Sequence, residues 1–278
     1  MKHNVDLHCH STISDGLFSP EDVAARAQAN GVTVWALTYH DEVSGVAAAR
    51  RAATALGMRH IGGVEISTTW AGHTLHIVGL NIDETNPALL QGLFDTRNGR
   101  QRRAEQIAAG LAQVGIPGAY EGALHYVGNP DLISRTHFAR YLVEAKVCKT
   151  THDVFQHYLV EGKPGFVAHK WATLSDAITW IVGAGGIAVI AHPGRYDLTQ
   201  LEMAVFLDEF KQFGGRGIEV VTGSHTPDQY NEYAKVAQQY GLMASRGSDF
   251  HAPGESMIEL GALPPLPAHL TPVWHDWF

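Results

Sequence analysis

Residues 6–16 read DLHCHSTISDG, a stretch that sets two imidazoles, His8 and His10, close to a carboxylate, Asp15. These are side-chain types that hold divalent cations, and without a thiolate among them they suit manganese, iron or zinc. The same types recur downstream at or near the ends of short apolar runs: His40 after VTVWALTY, Glu65 in RHIGGVEIS, His76 in HTLHIVGLNI, His192 after IAVIA, and Asp249 with His251 in SRGSDFH. Taken singly, His40, His76 or His192 reads as an ordinary hydrogen-bonded structural residue. The set as a whole has no such reading. Buried imidazoles and carboxylates cost free energy unless they are paired or metal-bound, so residues of this kind closing several different segments point to a shared metal site.

The elements that must position these groups follow from the pattern around them. His8 and His10 stand two apart in the apolar start NVDLHCH, so on a strand both project from one face while Cys9 projects from the other and packs. SPEDVAARAQANG reads as a helix with Ser19 as N-cap, Pro20 at its first position, Asp22 three residues after the cap and Gly31 at its stop. VTVWALTYH is a second strand, VSGVAAARRAATALG a second helix, RHIGGVEIS a third strand and HTLHIVGLNI a fourth. GGIAVIAHPG, GRGIEVVTG and GLMASRGSDFH repeat the strand pattern after further helical stretches. Strand and helix in alternation predict an α/β fold on a parallel sheet, with the candidate ligands at or near the carboxyl ends of strands, where groups from separate strands converge. Residues 97–172 differ in texture, running through amphipathic helices such as NGRQRRAEQIAAGLAQVG and SRTHFARYLVEAKV broken by GNPD and GKPG. We read them as a helical insertion capping the sheet, which divides the chain into a discontinuous sheet domain, 1–96 and 173–278, and an inserted domain, 97–172.

Composition bounds the rest. The 278 residues are 45% hydrophobic and 17% charged, enough to bury a core without disulfide staples. Cys9 and Cys148 make no disulfide framework and no apolar run at the start resembles a signal peptide or a membrane span, so a cytoplasmic address without membrane association is expected. A net charge of -8 argues against a nucleic-acid coat, and no DNA-binding surface is expected, although a local basic patch can still hold a phosphate.

The strings DLHCHSTISDG, ALTYHDEVSG, GVEIS, HTLHIVGL, IAHPGRY and GSDFHAPG resemble, in order and spacing along nearly the whole chain, the motifs of the PHP family of polymerase and histidinol phosphatase-like metal phosphoesterases. The inserted segment, with NPDLISRTHFAR and GKPGFVAHKWA, looks most like the bacterial 3',5'-nucleotide bisphosphate phosphatases, a group similar also to a 5'-to-3' exoribonuclease that trims short RNA. The resemblance implies a distorted parallel (β/α)7-type barrel with a helical cap and two or three divalent metals, manganese foremost, with zinc or iron as alternatives. By motif position, His8, His10, Glu65 and Asp249 would hold one metal, Asp15, His40 and His251 a second, and Glu65, His76 and His192 a third, with Glu65 as the bridge. Metals roughly 3.5–4 Å apart lower the pKa of a shared water and clamp phosphoryl oxygens, so an activated water held through His8, His10, Asp15 and Glu65 would stand in for a protein nucleophile. One motif departs: the family's Thr-Asp-His-Asp is here Thr38, Tyr39, His40 and Asp41, which puts a phenol where a carboxylate could have oriented an imidazole. With His40 retained, metal binding is expected to persist.

The implied substrate is a nucleoside 3',5'-bisphosphate losing its 3'-phosphate, with short 5'-phosphorylated RNA as a second substrate. Arginine suits phosphate because its planar donors bind bidentately. An arginine run such as RNGRQRR is most often a solvated helix face, and it is the resemblance that assigns Arg100, Arg103, Ser134 and Arg135 to substrate, ahead of Lys163, His169, Lys170 and Arg195. Tyr126, Phe138 and Trp171 read as core residues or as stacking partners for a base, and Arg246 has no explanation in the sequence. Two other readings compete: a histidinol-phosphate or other small phosphomonoesterase, and a metal-free scaffold whose support is Tyr39. The closing stretch LPPLPAHLTPVWHDWF either packs on the sheet or forms a self-association surface, and the sequence fixes no oligomeric state.

Overall fold

The computed structural model describes residues 3–277. In chain order its elements begin with β1 (Val5–Asp6), α1 (Pro20–Ala29), β2 (Val34–Trp35), α2 (Val46–Ala55), β3 (Arg59–His60), β4 (Gly63–Trp70) and β5 (His73–Leu80). A helical stretch follows: α3 (Pro87–Arg97), α4 (Arg100–Gln113), α5 (Ala119–Leu124), α6 (Arg135–Glu144) and α7 (Thr151–Val154). The chain returns to β6 (Ala172–Thr173), α8 (Leu174–Gly183), β7 (Ile187–Ile190), α9 (Gln200–Gln212), β8 (Gly217–Thr222), α10 (Pro227–Tyr240) and β9 (Met243–Gly247).

The fold is mixed α/β, with a three-stranded sheet β1-β2-β3 and a six-stranded sheet β6-β4-β5-β7-β8-β9. The wholly parallel sheet expected from the alternation does not form, because β5 runs antiparallel to both β4 and β7. The cause is local. Between β4 and β5 lie Ala71 and Gly72, both at positive φ (47° and 87°), a two-residue reversal that leaves no room for a crossover helix. At both margins the sheets meet through irregular backbone: the Leu7 N–H donates to the Arg246 carbonyl (3.0 Å) and Asp249 to that of His8 (2.7 Å), while Asp41 donates to Glu65 (2.9 Å). Both sheets also turn apolar side chains into one interior cluster, with Val5, Leu7, Val34 and Ala36 meeting Val78, Leu80, Val189 and Met243. Each such burial contributes roughly 1.5–3 kcal/mol for the larger side chains.

Capping follows the sequence. The Ser19 hydroxyl accepts the Asp22 N–H at 3.1 Å and Pro20 opens α1. The helical stretch packs on itself around Ile107, Leu111, Phe138, Leu142 and Leu159, a cluster drawn from residues 104–159. Arg246 is structural: buried, it donates to the Asn4 side chain (2.9 Å), the Val5 carbonyl (2.8 Å) and the Leu263 carbonyl, tying β9 to β1 and the last segment. That segment packs, since Ala244 donates to Thr271 and Val273 donates back to Ala244, with Val273, Trp274 and Trp277 against the interior cluster.

Candidate metal centre and its arginine wall

β1 ends at Asp6, so His8 and His10 lie in irregular backbone beyond the strand expected to carry them, yet the structure still brings their Nε2 atoms within 3.3 Å while Cys9 turns away to donate to the Ala36 carbonyl and accept from the Trp35 indole. Gly247 permits this approach of β9, for a Cβ there would lie 2.2 Å from that of His8. Glu65 occupies the centre. Its Oε2 lies 3.2 Å from His8 Nε2, 3.3 Å from His10 Nε2 and 3.1 Å from His40 Nδ1, and its Oε1 lies 2.8 Å from His76 Nδ1 and 3.0 Å from His192 Nε2. Asp249 Oδ1 completes one group at 3.2 Å from His10 and 3.5 Å from His8. Asp15 gathers another, with His10 Nδ1 and His251 Nε2 each at 3.5 Å and His40 Nε2 at 3.7 Å. All nine expected side chains therefore meet. Two positional expectations are corrected: Glu65 sits near the start of β4 and His76 midway along β5, so neither closes its strand. The antiparallel return of β5 carries His76 back opposite Ser67, two residues beyond Glu65. Elsewhere the chain bends sharply to aim its ligands, with His192 at φ 26° and Asp249 at φ 53°, conformations that cost strain and concentrate at functional sites.

The electrostatics are those of carboxylates packed among imidazoles. Burial works against ionised Glu65, yet His40, His8 and His76 hold its pKa well below the usual range, and Asp15 and Asp249 are lowered well below it in the same way. Burial likewise works against protonated His10, but Asp249, Glu65 and Asp15 raise it to about 9. In His192 burial dominates, with Arg195 assisting, and the ring falls to about 3. Satisfaction is incomplete: Asp15 Oδ1, His40 Nδ1, Glu65 Oε2 and His76 Nδ1 are buried without a hydrogen-bond partner among the described residues. Orphaned acceptors converging at such distances, in three groups whose donor atoms lie within 4.8 Å of one another, fit divalent cations.

Two carboxylates that the sequence reading did not single out support this cluster. Glu219, in β8, accepts from His8 Nδ1 at 2.8 Å and from the His192 backbone N–H at 2.7 Å, which leaves His8 Nε2 to face Glu65 and Asp249. An acid inside the apolar run GIEVV was the available signal. Asp41, at φ 52°, accepts from the Ser67 N–H (2.7 Å), the Ser67 hydroxyl (3.0 Å) and Arg100. Tyr39 proves to face the apolar core, where a Cβ on Gly45 would lie 2.6 Å from its phenol oxygen. The phenol thus packs away from the ligands, and the one feature favouring a metal-free scaffold loses its force.

The cluster opens into a cavity of about 580 Å³ that Arg100, Arg103, Ser134, Arg135, Trp171 and Arg195 also line. Arg100 and Arg103 hold their guanidinium carbons 4.5 and 5.3 Å from the Trp171 ring, and Arg103 donates to the Val167 carbonyl at 3.0 Å. Arg135 donates to the Leu159 carbonyl at 3.2 Å, and the Ser134 hydroxyl donates to Asp15 at 3.3 Å. Burial pushes Arg103 down to about 9 and Arg135 to about 10, and among the described residues neither has a carboxylate partner. Arg195 pairs with Asp249 at 3.0 Å. Lys163 and Lys170 are exposed and do not line the cavity; Tyr126 bonds Glu144 at the surface and Phe138 is core.

A mixed α/β fold that gathers imidazoles and carboxylates beside buried arginines in one cavity defines a metal-dependent phosphoester hydrolase. The chain belongs to the PHP domain family, whose model matches residues 6–162. It is 49% identical over 273 residues to a 3',5'-nucleoside bisphosphate phosphatase of Chromobacterium violaceum, covering 98% of this chain and 96% of that protein. It is 43% identical over 277 residues to a 5'-3' exoribonuclease of Haemophilus influenzae, covering 100% of both. Its fold superposes with a TM-score of 0.96 on a Chromobacterium violaceum structure, described as an amidohydrolase with bound sulfate and no metal, at 49% identity over 98% of this chain and 95% of that one.

Proposed function

We propose that this protein removes the 3'-phosphate from nucleoside 3',5'-bisphosphates, giving a 5'-nucleotide and inorganic phosphate. The observation that carries the reading is the juxtaposition, in one cavity, of the Glu65-centred cluster, the buried Arg100 and Arg103 and the half-buried Arg135. Divalent ions, manganese by preference, would be held by His8, His10, Glu65 and Asp249, by Asp15, His40 and His251 with His10 alongside, and by Glu65, His76 and His192. When bound, such ions supply Lewis acidity and a more acidic water. The chain's own residues do the rest. The arginines bind the phosphate oxygens and replace the hydration those anions lose, Ser134 holds Asp15 in register, and Glu219 fixes the His8 tautomer. We read the two sheets as a distorted barrel and residues 97–172 as its cap, and we place the reaction in the cytoplasm, consistent with two free cysteines among the described residues.

The test is phosphate release from adenosine 3',5'-bisphosphate with added manganese. Stoichiometric phosphate and a 5'-mononucleotide are expected; no release from folded, metal-loaded protein overturns the reading. Full-length similarity to an exoribonuclease favours a second activity, stepwise shortening of 5'-phosphorylated RNA, which a ladder from a 3'-labelled oligonucleotide would display.

A further inference from the structure

The cavity lining divides by chemistry, and one part of it is neither a candidate metal ligand nor a guanidinium. Beyond the ligands and the guanidiniums its lining includes Phe155, Gln156 and Val160, in and just after the turn that follows α7, and Ser256 and Met257, in the loop after β9. Two observations set this part apart from ordinary surface. Met257 is 84% exposed at the cavity, although burying such an apolar side chain is favourable. The second is local geometry: α7 widens into a π-turn over Phe155–Leu159, a form that sacrifices helical hydrogen-bond geometry and recurs at functional sites. Here the widened turn hands the Leu159 carbonyl to Arg135 and sets the Phe155 ring 5.6 Å from that guanidinium. A cation suited to phosphate is thus fixed to an aromatic ring, with an amide side chain next along the chain. A nucleotide likewise joins an anionic phosphate to a flat base through its ribose.

We propose that Phe155, Gln156, Val160 and Met257 bind the base of the nucleotide substrate. Phe155 and Met257 supply apolar contact, and the Gln156 amide, carrying both donors and an acceptor, hydrogen-bonds the base edge. One amide able to present either polarity does not impose a fixed pattern, so the site takes purines and pyrimidines alike and discriminates chiefly against substrates lacking a base. The inference rests on the nucleotide reading above.

Its test is equilibrium binding of adenosine 5'-monophosphate and of ribose 5-phosphate to the full-length protein by calorimetry, which needs no turnover. The wild type is expected to bind the nucleotide on the order of tenfold more tightly than the abasic sugar phosphate. In the Gln156→Ala/Met257→Ala double variant, both exposed positions whose loss leaves the core intact, that preference is expected to collapse while ribose 5-phosphate binding stays unchanged. Equal binding of the two compounds by the wild type, or a preference that survives in the double variant, overturns the proposal. Phosphate release from adenosine 3',5'-bisphosphate, measured in parallel on the wild type, separates the two readings. Turnover with no base preference refutes the base wall alone, and a base preference without turnover refutes the phosphatase reading alone.

Discussion

The ligand cluster and the arginine wall line the same cavity but are built by opposite means. In the cluster every group is held by others of its kind: Glu65 alone lies within 3.3 Å of five imidazoles, and Glu219 grips two ligand-bearing residues from behind. In the wall Arg103 and Arg135, on helices that pack around a core of their own, are held by neutral partners, Trp171 and the carbonyls of Val167 and Leu159, while Arg100 also meets a carboxylate, Asp41. The cluster is compensated internally and lacks only cations; the wall is preorganised, with Arg103 and Arg135 left without a carboxylate among the described residues, and an anion completes it. The difference teaches that metal affinity and substrate affinity are separable properties here, each open to its own perturbation.

The most severe test of that separation is Glu65→Gln. Losing the central charge should cut metal content below one ion per chain by elemental analysis and reduce phosphate release by more than the roughly 10–100-fold typical of outer-shell partners. Retention of a tenth of the activity would break the picture of a single hub. Glu219→Gln is next. With His8 free to change tautomer and His192 less firmly placed, metal affinity measured by chelator competition should fall about 10–100-fold while saturating metal restores most activity.

His225 joins the two regions, accepting the Gly194 N–H at 2.9 Å and so fixing the turn that carries both His192 and Arg195. Burial lowers its pKa to about 4. The folded value lies below the unfolded one near 6.5, so between those limits the unfolded chain takes up a proton that the folded chain refuses. Its contribution is present above pH 6.5 and lost as pH falls toward 4. By denaturant titration, His225→Gln should remove about 2 kcal/mol of the stability difference between pH 7 and pH 5. Arg103→Ala should act on the wall alone, raising KM by roughly tenfold with metal content unchanged.

The same contrast governs what the sequence discloses. A His-x-His pair in an apolar start and a ligand closing an apolar run are local patterns, so the cluster can be read before the fold is known, even though β1 stops at Asp6, short of the pair. What local pattern cannot supply is strand direction: Ala71 and Gly72 turn the fourth and fifth strands into a hairpin, and that turn moves Glu65 and His76 from strand ends to strand interiors without removing them from the site. Glu219 escapes notice because its partners lie 211 and 27 residues away, a pairing only the folded sheet creates. The wall is nearly illegible. Arginine runs on helices are usually solvated, and what makes Arg100 and Arg103 different is Trp171, far along the chain, on which both rest. Arg246 shows the converse, an unexplained charge whose work is to clamp backbone.

The smallest expected effect probes the seam between the two regions. Arg140, on the helical stretch, meets Glu255, on the loop after β9, through two hydrogen bonds of 2.8 and 2.7 Å. The bidentate geometry favours a measurable contribution, whereas partial exposure of Glu255 screens it, so Glu255→Gln should cost only about 1 kcal/mol of stability. Its functional signature decides more than its size. If the wall is held in place by its own core and by the Asp41–Arg100 contact, loosening this one pair should raise KM a few-fold and leave kcat and metal content at wild-type values. If instead the pair is what holds wall and cluster in register, kcat will fall along with substrate affinity, because phosphate bound to displaced arginines is presented to the cluster at the wrong distance. A double-mutant cycle with Arg140→Gln, read on KM and kcat separately, distinguishes these outcomes, and the packing around Phe138 and Leu142 predicts the first.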